Sequence, residues 1–358
     1  MNEKSIKRMA PFLAVILGLF FGFVLLIITG NDAIEGYKNL FLGGIKGIGE
    51  GNFRRFGDTF SQMTPILFTG ISVAFAFRTG LFNIGASGQF LMGGFVAVFL
   101  GVVLELPPFL HPIVCLIGAA IAGGLWGSIP GFLKAKFNVH EVVTCIMLNY
   151  VSIWLVQWLV KSNIPGAYDT ESANINTTAT LRNEWLTTIT DGSSISVAFF
   201  LGIIVLVIIY FILEKTTFGY ELKAVGFNSD AAKYAGMKVN RNVVLSMAIA
   251  GVLAGIGGAA YYIGYTNHVK IGTLPDFGFD GIAVSLLGLN APLGVFLSSF
   301  LFGYLKNGGS FMSSATSIPQ EIVDIVIAVI IYFSAISIII EGFLKKIIKS
   351  KKSADKSA

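Results

Sequence analysis

Long uncharged apolar runs recur along the chain and set its organisation. They cover 11–30, 59–77, 79–104, 106–133, 142–160, 192–213, 242–269 and 281–305. Each approaches or exceeds the roughly 20 residues a helix needs to cross a bilayer's hydrocarbon core. A further run spans 322–340. With 281–305 divided into two short pieces, the pattern predicts about ten spans. The expected fold is all-α, a polytopic transmembrane helical bundle with some short or broken segments.

The polar stretches give the expected topology. Lys4, Lys7 and Arg8 precede the first run, which is longer than a signal peptide's apolar region and lacks an Ala-x-Ala-like site after it. An uncleaved first helix with a cytoplasmic N-terminus follows. Residues 31–58 read as an external loop, with Leu40, Phe41, Leu42, Ile45 and Ile48 along the interface. The proline-rich 106–112 reads as an external turn. Lys134 and Lys136 mark a cytoplasmic turn, 161–196 a longer external loop, and 214–242 a cytoplasmic segment. On this scheme about 17 Lys and Arg lie inside and about 8 outside, as the positive-inside rule requires, and both termini are cytoplasmic. Residues 1–344 form the transmembrane domain and 345–358 a basic tail, lying against anionic lipid before a disordered end.

Composition agrees and narrows the chemistry. Residues are 54% hydrophobic and 13% charged, with mean hydropathy +0.76, far from the roughly 25% charge of soluble domains. The net charge of +5 comes from span ends, so no nucleic acid is implied. Cys115 and Cys145 lie inside apolar runs, and His111, His140 and His268 are scattered, so neither a disulfide framework nor a metal site is expected. There is no phosphate-binding Gly-x-x-x-x-Gly-Lys-Ser/Thr loop, no His-Glu-x-x-His motif and no assignable acid, base and nucleophile. Acidic residues are scarce within the spans, which argues against a proton-coupled pump. The chain reads as a non-enzyme holding no cofactor, whose energy comes from a partner.

Two interruptions carry the functional signal. Arg78-Thr-Gly-Leu-Phe-Asn-Ile-Gly-Ala-Ser-Gly-Gln89 separates two apolar runs. Such a break is tolerated in lipid where it is buried in protein or lines a water-filled path, and it also reads as a plain cytoplasmic turn. In 275–294, Asp276 and Asp280 flank an apolar piece too short to cross, and Asn290-Ala-Pro-Leu-Gly then interrupts it. Paired short segments in two halves of a membrane protein point to a central pathway. Asn149 and Gln157 sit inside the fifth span, where amides must face protein or water. Gly123, Gly127 and Gly131 share one helical face, suited either to intrachain packing or to a subunit seam. In the cytoplasmic segment, Asn228 or Ser229 can cap a short helix over 230–235, with Gly236 at its C′ position. So short a helix needs a surface to rest on, its own membrane domain or a partner.

Gly80-Leu-Phe-Asn-Ile-Gly-Ala-Ser-Gly-Gln89, His140-Glu-Val-Val-Thr-Cys-Ile-Met-Leu-Asn-Tyr150, and Ala283-Val-Ser-Leu-Leu-Gly with Pro292-Leu-Gly294 together resemble the permease subunits of bacterial ABC importers. The resemblance is to the ribose and branched-chain amino acid type, in particular the nucleoside (basic membrane protein-linked) branch. It implies a second homologous permease chain, a cytoplasmic ABC ATPase that binds ATP and Mg, and an external substrate-binding lipoprotein in a bacterial plasma membrane. It also implies that 221–236 is the coupling segment that docks on the ATPase. Ala231, Ala232 and Gly236 match its small positions, Glu221, Lys223 and Lys233 are its polar contacts, and Gly226 and Asn228 fall within it. Where relatives often carry Glu, this chain has Ser87, which removes a charge.

The expected function is inward passage of a small polar solute, nucleosides first, by alternating access. Asn83, Gln89 and Asn149 are the candidate pathway amides, able to exchange hydrogen bonds with ribose or base edges, and Phe82 and Phe90 either stack on a base or pack. A sugar or amino acid is the alternative cargo, and a stand-alone secondary transporter or channel the alternative mechanism.

Overall fold

The computed structural model describes residues 3–46, 52–336 and 342. The basic tail therefore lies outside the described residues. Among them the chain is helical, and extended pairing is limited to the isolated bridges Pro165–Ser172 and Glu171–Lys270. The helices are α1 (Glu3–Ile28), α2 (Ala33–Leu42), α3 (Arg54–Arg78), α4 (Ala86–Val103), α5 (Leu110–Phe137), α6 (Glu141–Asn163) and α7 (Glu184–Ile189). They continue as α8 (Ala198–Lys215), α9 (Thr217–Phe227), α10 (Ser229–Tyr234), α11 (Val239–Tyr261), α12 (Phe277–Leu287), α13 (Pro292–Ala315) and α14 (Gln320–Ala335).

Among the described residues, six helices are long and apolar enough to cross a membrane: α3, α4, α5, α6, α8 and α11 with the π-helical turn that follows it. Shorter apolar helices cover Leu13–Ile28 and Phe277–Leu287. The polar stretches hold more structure than their composition suggests. Within the expected loop at 31–58, Asp32 caps α2 by accepting from the Ile34 and Glu35 amides, both at 2.9 Å. Helix α5 already begins at Leu110, because Pro112 falls in the first turn, where a missing N–H removes no helical bond.

The chain forms two compact units. In the first (1–46 and 304–358), α1 packs on α14 through Gly18 beside the Ile330 backbone, and Tyr37 donates to the Leu19 carbonyl at 2.6 Å. In the second (47–303), α11 is the central helix, packed on α3, α4 and α5. The glycine face of α5 settles its own question. A Cβ on Gly127 would lie 2.9 Å from the Gly251 Cα, and one on Gly251 would collide with the Gly123 carbonyl. The stripe thus packs within the chain against α11, backbone on backbone, where small residues permit the contact that drives helix association in lipid. Cys115 and Cys145 are buried free thiols.

Gly251→Val should cost about 1–3 kcal/mol by overpacking this seam. Thermal unfolding in detergent, with folded yield as second readout, checks it. Ile121→Ala, on α5 but away from the seam and 57% exposed, should stay within about 0.5 kcal/mol of wild type.

Candidate functional site

The break after α3 begins as a helix stop. Gly80 takes φ +74°, the Gly80 amide bonds the Phe77 carbonyl and the Leu81 amide reaches back to the Ala76 carbonyl. This is a Schellman arrangement, completed by the buried Leu81 packing with Ala76. The chain then runs irregularly to α4, and side chains supply the partners its backbone lacks. Asn149 of α6 accepts from the Gly88 amide at 2.9 Å and donates to the Ile84 carbonyl at 3.0 Å. Asn83 and Gln89 form a reciprocal amide pair, at 2.9 Å and 3.0 Å. Ser72, 3.4 Å from Asn83, donates to the Ala250 carbonyl at 2.6 Å and ties the break to α11. All three candidate amides are buried. The structure brings them together, each engaged with the break itself.

The second interruption meets the first. Helix α12 has 11 residues, about half a bilayer at 1.5 Å per residue. Thr69 of α3 donates to the Phe277 carbonyl at 2.7 Å, and a Cβ on Gly281 would press on Thr69. Gly278 lies directly on Ser87, whose buried hydroxyl has no partner among the described residues. A larger side chain at 87 would have to displace α12, so the small serine matches this close approach. Beyond α12, Leu289 and Asn290 adopt positive φ, Ser285 donates to the Asn290 side chain at 2.7 Å, and α13 restarts at Pro292. Phe90 is buried 5.5 Å from Phe277 and 6.1 Å from Tyr261 between ring centroids, whereas Phe82 is half-buried beside Phe77 at 5.4 Å.

The segment after α8 holds two helices where the sequence suggested one. Thr216 caps α9 by accepting from the Gly219 amide at 3.1 Å. Asn228 caps α10 by accepting from the Ala231 amide at 2.9 Å, and Gly236 ends it at φ +82°. Leu222 is buried in α9, and Val225 and Ala232 pack with Ala76, Leu81, Cys145, Val243 and Met247. The inner face of this segment therefore rests on its own membrane domain. At the contact, a Cβ on Gly226 would lie 2.9 Å from the Gly80 amide and would collide with the Arg78 carbonyl.

Charge completes the link. The Arg78 guanidinium lies 3.7 Å from the Glu214 carboxylate and donates through Nε to the Asn290 carbonyl at 3.0 Å. Lys223 reaches Glu214 at 2.7 Å, and Asn242 donates to Glu221 at 2.9 Å. These groups are partly exposed, so the ion pairs add little stability. Their effect is geometric: Arg78 touches the first break, the second break and the α8–α9 corner at once. Of the predicted coupling residues, Ala232 faces inward at 4% exposure, while Asn228, Ala231, Lys233 and Gly236 face outward. Sequence reasoning missed Phe227 and Tyr234, exposed at 91% and 94%. The signal was there, since two large aromatics in a polar helical segment bury nothing on their own element. An open groove of about 600 Å³, lined by Thr79, Gly80, Lys134, Lys136 and Phe227 among others, lies beside them.

Asn83→Leu leaves the Gln89 amide buried and unpaired and should cost about 1–3 kcal/mol. Adding Gln89→Leu should recover part of that loss, because removal of both partners is less costly than removal of one. A double-mutant unfolding cycle in detergent measures the coupling.

The geometry is that of a membrane domain with two touching helix breaks and an attached polar segment, and comparison with known proteins gives it a family. The chain is similar to the guanosine ABC transporter permease protein NupP of Bacillus subtilis, 42% identical over 356 residues, 99% of this chain and 100% of that one. It is 39% identical over 354 residues to the nucleoside ABC transporter permease protein NupB of Lactococcus lactis, covering 97% and 95%. It is 29% identical over 333 residues to the glucose ABC transporter permease protein TsgB13 of Haloferax volcanii, covering 90% and 86%. No solved structure matches. Residues 56–335 match the family described as branched-chain amino acid transport system / permease component, and the chain belongs to that family.

Proposed function

We propose that this multi-pass membrane protein is the permease subunit of an ATP-driven importer that carries nucleosides inward across the bacterial plasma membrane. The observation that carries this reading is near-full-length similarity to two permeases named for guanosine and nucleosides. The glucose permease supports a sugar as the second reading, at lower identity. In the proposed assembly a second homologous permease chain lies alongside, an external lipoprotein delivers the solute, and a cytoplasmic ABC ATPase holds ATP and Mg.

In this reading residues 1–344 form the transmembrane domain, with 161–196 outside and 214–242 and both termini inside. Helices α1, α12, α13 and α14 join the six long apolar helices to give ten spans. The ATPase pushes on α10, and α9 passes the movement to the first break through Gly226 against Gly80. Arg78 passes it to the second break through Asn290. Asn83, Gln89 and Asn149 hold the wall of the route, engaging a ribose or base edge only by exchanging the bonds they now make. Phe82 and Phe90 flank that wall. The outward residues Asn228, Ala231, Lys233 and Gly236 meet the ATPase together with Phe227 and Tyr234, while the buried Ala232, Gly226 against Gly80 and the half-exposed Glu221 and Lys223 set the segment's shape.

Cells lacking the chain should lose uptake of tritiated guanosine and regain it on complementation. Loss of glucose or amino acid uptake in its place would reassign the cargo. Ion-driven transport by the purified chain alone in liposomes would remove the ATPase from the mechanism.

Phe227→Ala with Tyr234→Ala should lower ATP-driven uptake at least tenfold at normal membrane abundance, as expected when exposed aromatic anchors of an interface are truncated. Unchanged uptake would count against docking at α10.

A further inference from the structure

The C-terminal end of α11 carries a cluster of rings that no packing requirement explains in full. Tyr261 lies 4.7 Å from Phe277, 5.6 Å from Tyr265 and 5.1 Å from Tyr262 between centroids. Tyr262 is the packing member: it is 4% exposed and fills the space over Gly94. Tyr261, Tyr265 and Phe277 are half-exposed. Tyr261 and Tyr265 are four residues apart and nearly parallel, at 27°. Tyr261 precedes and Tyr265 lies within a π-helical turn, Tyr262–Thr266, a geometry frequent at functional sites. Phe277 opens the half-length α12, whose neighbour Gly278 sits on the first break. Among the described residues neither the Tyr261 nor the Tyr265 hydroxyl has a hydrogen-bond partner.

We infer that Tyr261, Tyr265 and Phe277 form a stacking subsite for the base of the transported nucleoside, an inference that rests on the nucleoside reading above. Every nucleobase offers a π-face to an aromatic side chain, so such a site accepts different bases. The two free phenols add hydrogen-bonding groups for a base edge. A sugar offers a saturated, puckered ring and an aliphatic amino acid no ring, so the flat π-face of a nucleobase stacks on the same cluster more strongly than either. Neutral rings also give a shallow site, suited to a solute that must leave as readily as it enters.

The test is guanosine uptake by cells carrying the complete transporter. Tyr261→Leu and Tyr265→Leu should each raise the half-saturating guanosine concentration about tenfold to a hundredfold, as loss of one stacking partner predicts, with the maximal rate within about twofold. Tyr261→Phe keeps the ring and should stay within a few fold. Unchanged half-saturation in both leucine variants and in Phe277→Leu would overturn the subsite while leaving nucleoside transport standing. Absence of nucleoside uptake by the wild type would overturn both. Should the leucine variants fail to insert, 8-azidoguanosine photolabelling of the wild-type complex decides. Label on residues 261–277 that guanosine prevents and ribose does not supports the subsite, and label confined elsewhere overturns it.

Discussion

A backbone amide in hydrocarbon has no water to bond, and the whole second unit is arranged around that constraint. The chain leaves helical geometry between Arg78 and Ala86, between two apolar helices and largely buried in protein, and side chains make good missing partners. Asn149, from a helix distant in sequence, serves both an amide and a carbonyl of the break. Asn83 and Gln89 serve each other. The break is thereby a shaped, hydrogen-bonded object rather than a loose loop.

The elements seated on the break are the two short helices after α8. Their inner face is apolar and buried, their outer face carries two bare aromatics, and their contact with the break is glycine against glycine. A contact without side chains transmits displacement directly, since no rotamer can absorb it. Arg78 extends the same contact to the second break through the Asn290 carbonyl. Two interruptions some two hundred residues apart thus share one charged residue and one close approach, Ser87 on Gly278.

Family membership and cargo are separate questions, as the nucleoside and glucose permeases in one family make plain. What distinguishes solutes must lie in the side chains facing the route. The ring cluster at the end of α11 is the proposed place, because a nucleobase offers it a flat π-face and a sugar does not.

The sequence by itself determined the membrane setting, the apolar helices, both interruptions, a cap at Asn228 or Ser229 with its Gly236 stop, and the family blocks. These depend on run length, local capping and close-range backbone preference, all of which are written in neighbouring residues. Tertiary structure alone decided that the glycine face of α5 packs on α11, that Asn83 pairs with Gln89 while Asn149 bonds the backbone of the break, and that Gly226 seats on Gly80. It also decided that Ala232 faces in while Phe227 and Tyr234 face out, and it revealed α2 and α9 inside stretches whose composition read as loop. The physical reason is common to these cases. Helical period and glycine content announce that a surface is available for contact, but the partner lies many residues away, and only three-dimensional packing chooses which distant surface fills it.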